Sequence, residues 1–403
     1  MFALHESTRR GLCRMGFVLL CVLPVCAIAG ASVWLHTDSQ RKASEKSLSQ
    51  LLSLDVSIDR VVLTQPNGIR YEGVKLTDLE TGALVAQAAS ITALKDGKCV
   101  GIGVVGSRIN VPQVVLLKEI VLRHLRIGKS GESIRVWCDK LEWLGADKTV
   151  DIAENVEANF VYNAEMATFV STFRPMSTQF DKTASSSDST KRVTLRIERN
   201  RQASPLVTRF VFDSNGITVS SSILAAFVPA VENFGSACGF SGNIWADETR
   251  QSCNGELAGQ FKNVDLSGFA ENGFPEPMQG IASIDFNPLC FMDGRIDQAI
   301  GQVQCDSGIL GAKVVGLLNP RVRHSGSVAF SELDFHFKLD GEGIALIGNC
   351  KSEYPGTILA DKGGMPLAAA PIAKPIPLSK LKEIFSQSLT AKRLLPSPNA
   401  TRR

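Results

Sequence analysis

Three short phrases in this chain place reactive groups close together. Gly101-Ile102-Gly103-Val104-Val105-Gly106 has the GxGxxG spacing with which a dinucleotide-binding turn offers backbone amides to a pyrophosphate. That chemistry needs a helix to begin inside the phrase. Here Arg108-Ile109-Asn110-Val111-Pro112 follows, which reads as extended chain. Cys305-Asp306-Ser307-Gly308 and Gly239-Phe240-Ser241-Gly242 come near serine-hydrolase phrases, yet neither is the GxSxG elbow that exposes a nucleophile. Of the five histidines, His5 and His36 flank an apolar N-terminal run, and His124, His324 and His336 stand in no spacing that makes a base or a metal ligand. His124, within Leu122-Arg123-His124-Leu125-Arg126, reads as a surface residue. Asp334, Asp340 and Glu342 fall on the wet side of a strand or in the turn Asp340-Gly341-Glu342-Gly343. The expectation is a protein that is not an enzyme and carries no cofactor and no metal.

Ten cysteines call for a separate account. Cys13, Cys21 and Cys26 lie in or beside the apolar run and count there as small apolar residues. Cys238 and Cys253 are 15 positions apart, as are Cys290 and Cys305, a spacing at which antiparallel neighbours can meet. Both pairs are candidate disulfides in an oxidising compartment, with buried free thiols as the competing reading. Seven cysteines outside the run is an odd number, so at least one is unpaired or paired with another molecule. No CxxC or Cys/His cluster has metal-ligand spacing.

The elements that would carry these residues are mostly strands. His36 to Gln50 is polar and reads as a spacer, with a helix continuing into Leu51-Leu52 as the alternative, after which alternation of period two takes over with Leu54, Val56 and Ile58. Further strands are expected near Leu84 to Leu94, Gly101 to Val111, Val114 to Ile127 and Ser133 to Trp143, with a helix as the alternative over Val114 to Leu125. Thr183 to Lys191 is a polar loop, read as the boundary between regions 51–182 and 192–362, or else as a link between two strands of one sheet. Beyond it strands are expected at Val193 to Ile197, Val207 to Phe212, Gly239 to Trp245, Gly255 to Leu266, Gly280 to Phe286, Arg295 to Cys305, Ser327 to Leu339 and Gly343 to Cys350. Short helices fall over Ile223 to Phe234 and Ile309 to Leu318. Phe335, Phe337 and Leu339 alternate with Asp334, His336, Lys338 and Asp340, which marks a sheet with one greasy and one wet face. Roughly 14 strands at about 4.8 Å give a sheet 65 to 70 Å wide, which must curl or split. Residues 363–403 form a proline-rich basic tail, with an amphipathic helix over Leu378 to Leu389.

Met15 to Leu35 contains no charge, follows Arg9, Arg10 and Arg14, and at about 1.5 Å per residue spans a bilayer core of roughly 30 Å. Residues 1–14 are then a cytoplasmic stub, 15–35 a transmembrane signal-anchor, 36–50 a juxtamembrane spacer, and the bulk is exported. A cleaved signal peptide competes, because Ala27-Ile28-Ala29 and Ala29-Gly30-Ala31 offer cleavage patterns. A net charge of +3 over 403 residues gives no general attraction to nucleic acid.

The order of phrases resembles AsmA-like bacterial envelope proteins. The anchor is followed by Ser49-Gln50-Leu51-Leu52-Ser53-Leu54-Asp55-Val56 and then by Gly73-Val74-Lys75-Leu76-Thr77-Asp78-Leu79-Glu80-Thr81-Gly82. Gly239-Phe240-Ser241-Gly242-Asn243-Ile244-Trp245 and Gly255-Glu256-Leu257-Ala258-Gly259-Gln260-Phe261-Lys262-Asn263-Val264-Asp265-Leu266 resemble the later phrases of the same family. The resemblance implies a mainly β fold, with a transmembrane helix leading into a long, twisted antiparallel sheet shaped as a groove or sandwich. It implies a bacterial inner-membrane protein with its bulk in the periplasm, lipid acyl chains or other envelope proteins as partners, and a part in lipid transport or outer-membrane upkeep. A structural scaffold without a lipid ligand is the alternative.

Overall fold

Period-two alternation over most of the chain produces strands, and the protein is mainly β with few helices. The computed structural model describes residues 14–26, 38–65, 68–110, 114–144, 150–176, 191–225, 229–268, 276–318, 326–369 and 375–379. Two compact units divide the chain at Arg108/Ile109.

The first unit contains a helical segment, residues 14–26, with a π turn at Val18–Val22. Helix α1 (Asp38–Leu52) then leads into β1 (Asp55–Ser57), β2 (Arg60–Gln65), β3 (Gly68–Thr77), β4 (Leu84–Asp96) and β5 (Cys99–Asn110). β3 pairs antiparallel with β1, β2 and β4. The expected polar spacer is therefore a packed element. Leu48 and Leu52 of α1 cover a core of Val56, Ile58, Val61 and Val74. The same helix satisfies the start of the sheet: Ser49 Oγ accepts from the Val56 N–H at 3.0 Å, and Glu45 Oε1 from the Ile58 N–H at 2.9 Å. The GxGxxG phrase lies within β5.

The second unit opens with helix α2 (Val114–Ile127), the alternative to the strand expected there. Valine and leucine satisfy both periods over this stretch; Val121, Leu122 and Leu125 form a helical stripe that packs on Phe160, Phe169 and Ile197. Strands β6 (Ser133–Leu144), β7 (Val150–Tyr162), β8 (Met166–Met176), β9 (Val193–Asn200) and β10 (Thr208–Asp213) follow. β11 (Val219–Ser220), α3 (Ser221–Ala225) and a 3-10 helix (Pro229–Phe234) lead to β12 (Gly239–Glu248), β13 (Cys253–Asp265), β14 (Met278–Met292) and β15 (Arg295–Leu310). Helix α4 (Ala312–Leu318) precedes β16 (Val328–Phe330), β17 (Glu332–Asp340), β18 (Gly343–Gly348), β19 (Thr357–Ala360) and β20 (Pro366–Ala369).

Antiparallel pairings run in the order β6-β7-β8-β9-β10-β12-β13-β14-β15-β17-β18. Ten spacings of about 4.8 Å make this ribbon roughly 48 Å wide. β8 and β9 are direct partners, so Thr183 to Lys191 joins two neighbours of one sheet and the compact-unit boundary lies elsewhere.

Strands β7 and β8 have no counterpart in the sequence expectation. The register shifts between Glu154 and Glu157, with Asn155 at φ 48°, and this bulge breaks the alternation. The proline-rich tail begins as a strand, β20 pairing with β19. Most of the helix expected over Leu378 to Leu389 lies outside the described residues, as do Trp34, His5, His36 and His324. Residues 27–35 of the expected anchor also lie outside them; among the described residues no helix is long and apolar enough to cross a membrane.

Candidate functional site

Strand register decides which side chains share a surface, because partners directly opposite point the same way and alternation repeats every second residue. Leu195, Phe212, Ile244, Leu257, Leu289, Ala299 and Leu339 form one row across β9 to β17. Gly259, Phe286, Gly301 and Phe337 form the next, and Phe240, Phe261, Ile284, Val303 and Phe335 the one after. All three rows are apolar. The opposite surface carries Arg196, Arg209, Asp247, Glu256, Gln302, Gln304, Asp334, His336 and Lys338, interrupted by exposed Trp245, Ile300 and Ile347.

Phenylalanine rings connect the rows. Centroids lie 6.2 Å apart for Phe212 and Phe240, 4.7 Å for Phe240 and Phe261, 6.1 Å for Phe261 and Phe286, and 5.9 Å for Phe286 and Phe337. Gly301 lies between Phe286 and Phe337 in register, and its lack of a side chain makes room for the last contact. A Cβ there would stand 2.8 Å from Phe337 Cζ, so only glycine lets the ring lie across the backbone. Gly255 beneath Phe291 and Gly308 beneath Phe330 repeat the arrangement.

The cover over this face is uneven. Toward β8 and β9, α2 closes it around Leu125, Phe160, Phe169 and Ile197. At Phe240 and Phe261, which are 0 % and 1 % exposed, the 3-10 helix supplies Phe234 edge-on at 5.0 Å. Between and beyond these plugs, Phe286, Leu289, Val303, Phe335, Phe337 and Leu339 are only half-buried. The result is an apolar strip accessible from one side.

One end of the strip is polar. Arg199 and Glu248 both stand opposite Thr208, on the side that carries Phe210 and Phe212. Arg199 Nη1 donates to Thr208 Oγ1 at 2.9 Å. Lys118 reaches down from α2, its Nζ 3.8 Å from Glu248 Oε2 and 4.8 Å from the Phe210 ring centroid.

The wet face holds an organised but solvated polar set. Asp334 accepts from Gln302 Nε2 at 2.8 Å, Gln304 Nε2 at 3.1 Å and Asn349 Nδ2 at 3.2 Å. Arg209 forms a fork on Asp247 at 2.8 and 2.7 Å and lies 5.5 Å from the Trp245 ring. His336 is exposed here. Ser241 and Ser307 stand within β12 and β15, away from any strand-to-helix elbow.

His124 is partly covered, which corrects the surface assignment: α2 turns it toward Phe160, ring centroids 5.9 Å apart. Burial, then repulsion from Arg123, holds its imidazole below the ordinary range. Below about pH 6.5 the unfolded chain takes up a proton that the native state resists, so stability falls as pH drops through that window. Urea midpoints at pH 7.5 and 5.5 check this. The native chain should lose stability between them, and His124→Gln should lose less.

Neither candidate disulfide is present. Cys238, Cys253, Cys290 and Cys305 are free. Cys253 lies opposite Glu248, ten residues along β12 from Cys238, or roughly 33 Å at about 3.3 Å per residue. Cys305 lies opposite Ala282, eight residues along β14 from Cys290, roughly 26 Å away. Burial pushes the Cys238 thiol up to about 12. At pH 8 iodoacetamide should therefore modify exposed Cys99 in the native chain and reach Cys238 only after denaturation, as peptide mass spectrometry would read out.

Comparison with models of known families, with curated proteins and with solved structures finds no match for this chain.

Proposed function

We propose that this chain is a non-enzymatic, membrane-anchored protein of the bacterial envelope whose β-sheet binds lipid acyl chains along its apolar face. The observation that carries the reading is the half-covered strip of Phe286, Leu289, Val303, Phe335, Phe337 and Leu339. Aliphatic and aromatic side chains left half-covered in one band mark a site for an apolar partner. An acyl chain can complete that burial, gaining about 25 cal/mol for each Å² removed from water.

Two further features support the membrane assignment. The uncharged run Met15 to Leu35 has the length of a spanning helix, and in its helical part Met15, Phe17, Leu20 and Val25 are all exposed. The AsmA-like resemblance implies the same pairing of anchor and one-sided sheet. On this reading the arginines before the run stay in the cytoplasm and the sheet works on the periplasmic side of the inner membrane.

Purification of the full-length chain from membranes in a mild detergent, followed by organic extraction and mass spectrometry, tests the proposal. A lipid held in stoichiometric amount is expected. No retained or exchangeable lipid, with in-cell crosslinks only to envelope proteins, would replace the lipid carrier by a protein scaffold.

A further inference from the structure

The greasy strip ends in a cluster of cations. Arg199, Thr208 and Glu248 share its surface, and Lys118 closes over them from α2 with a side chain only 10 % exposed. At 3.8 Å the Lys118–Glu248 pair is too long for a hydrogen bond, so the ammonium's donors remain free to meet another acceptor. Arg126 and Arg250 also act on this spot: after burial, their repulsion is what lowers the pKa of Arg199, against the opposing pull of Glu248. Lys118 lies beside Glu248, and Glu248 and Arg199 flank Thr208, so one carboxylate serves two partly covered cations. Positive charge so poorly compensated and partly withdrawn from water is unfavourable until an anion completes it.

The strip is long enough for an acyl chain. From Glu248 to Gly242, short of the 3-10 helix over Phe240, it runs six residues, roughly 20 Å, more than the roughly 15 Å that a chain spans in one leaflet of a bilayer core about 30 Å thick. Guanidinium groups present planar forks that suit phosphate oxygens, and Lys118 adds a point charge. We propose that Lys118 and Arg199 hold the phosphate of a net-anionic phospholipid headgroup whose acyl chains lie along the phenylalanine strip. This rests on the lipid-binding reading above and adds to it the class of lipid.

The test uses full-length protein stripped of lipid in a neutral detergent and titrated with fluorescent phosphatidylglycerol or phosphatidylcholine bearing the same chains, with oleate as a third arm. Phosphatidylglycerol should bind about tenfold more tightly than phosphatidylcholine at low salt, and the difference should shrink at high salt. Lys118→Met with Arg199→Met should weaken phosphatidylglycerol binding to the level of phosphatidylcholine and so abolish the preference, and Lys118→Arg should keep it. Equal binding of the two phospholipids by the native chain would overturn the headgroup site while leaving the lipid-binding reading in place. A preference for oleate over phosphatidylglycerol, or one for phosphatidylglycerol that survives the double substitution, would overturn it as well. Binding of none of the three would overturn both.

Discussion

Phe261→Ala should remove about 3–5 kcal/mol of stability from the second unit, the range for deleting a fully buried aromatic ring from a core that cannot collapse around the gap. Phe261 is 1 % exposed and touches three rings: Phe240 at 4.7 Å, Phe234 at 5.0 Å and Phe286 at 6.1 Å. Its loss unseats the 3-10 helix that closes one end of the strip and opens a cavity between β12 and β14. Trp137, Trp143 and Trp245 all belong to this unit, so urea titration followed by tryptophan fluorescence reads the change directly. Ile347→Ala is the control. That side chain is 66 % exposed on the wet face, and its truncation should shift stability by no more than about 0.5 kcal/mol.

Phe337→Asp should lower lipid retention at least tenfold, because a carboxylate at the centre of the strip must lose water when an acyl chain lies over it, at a cost of about several kcal/mol. Aspartate is also too short to carry its charge back to solvent as lysine does. Phe337 is half-buried, so this change should cost less stability than Phe261→Ala, and lipid retained per folded protein separates the two effects. His336→Asp, one residue away on the opposite face, should leave retention unchanged.

The one-sided sheet was legible in the residues, since Phe335, Phe337 and Leu339 against Asp334, His336 and Lys338 state it within a single strand. Its consequence across strands was not. Which residue stands opposite which depends on where the turns fall, and the pairing of Phe286 and Phe337 across Gly301 emerges only once β14, β15 and β17 are in register. The cysteines illustrate the same limit. A pair 15 apart meets in a hairpin only if the turn lies midway; Trp245 and Ala246 stand midway between Cys238 and Cys253, in the middle of β12, while Asp297 and Gln298 hold that place within β15 for the other pair. Turns at 249–252 and 293–294 send the cysteines apart.

Helix α2 was legible only as one of two alternatives. Valine and leucine over Val114 to Leu125 satisfy both periods, and the helical choice follows from the tertiary need to cover Phe160, Phe169 and Ile197. Lys118 went unnoticed with it. Its position over Phe210 and beside Glu248 is a product of helix packing, not of any spacing in the chain.

Site-specific photocrosslinking tests the central claim most directly. A photoreactive residue placed in turn at 334, 335, 336, 337, 338 and 339 of the full-length chain is irradiated in living cells, and each adduct is identified by mass. Lipid adducts from 335, 337 and 339, with none from 334, 336 and 338, are the predicted result. Lipid adducts at both faces alike, or protein adducts alone from the apolar positions, would contradict it.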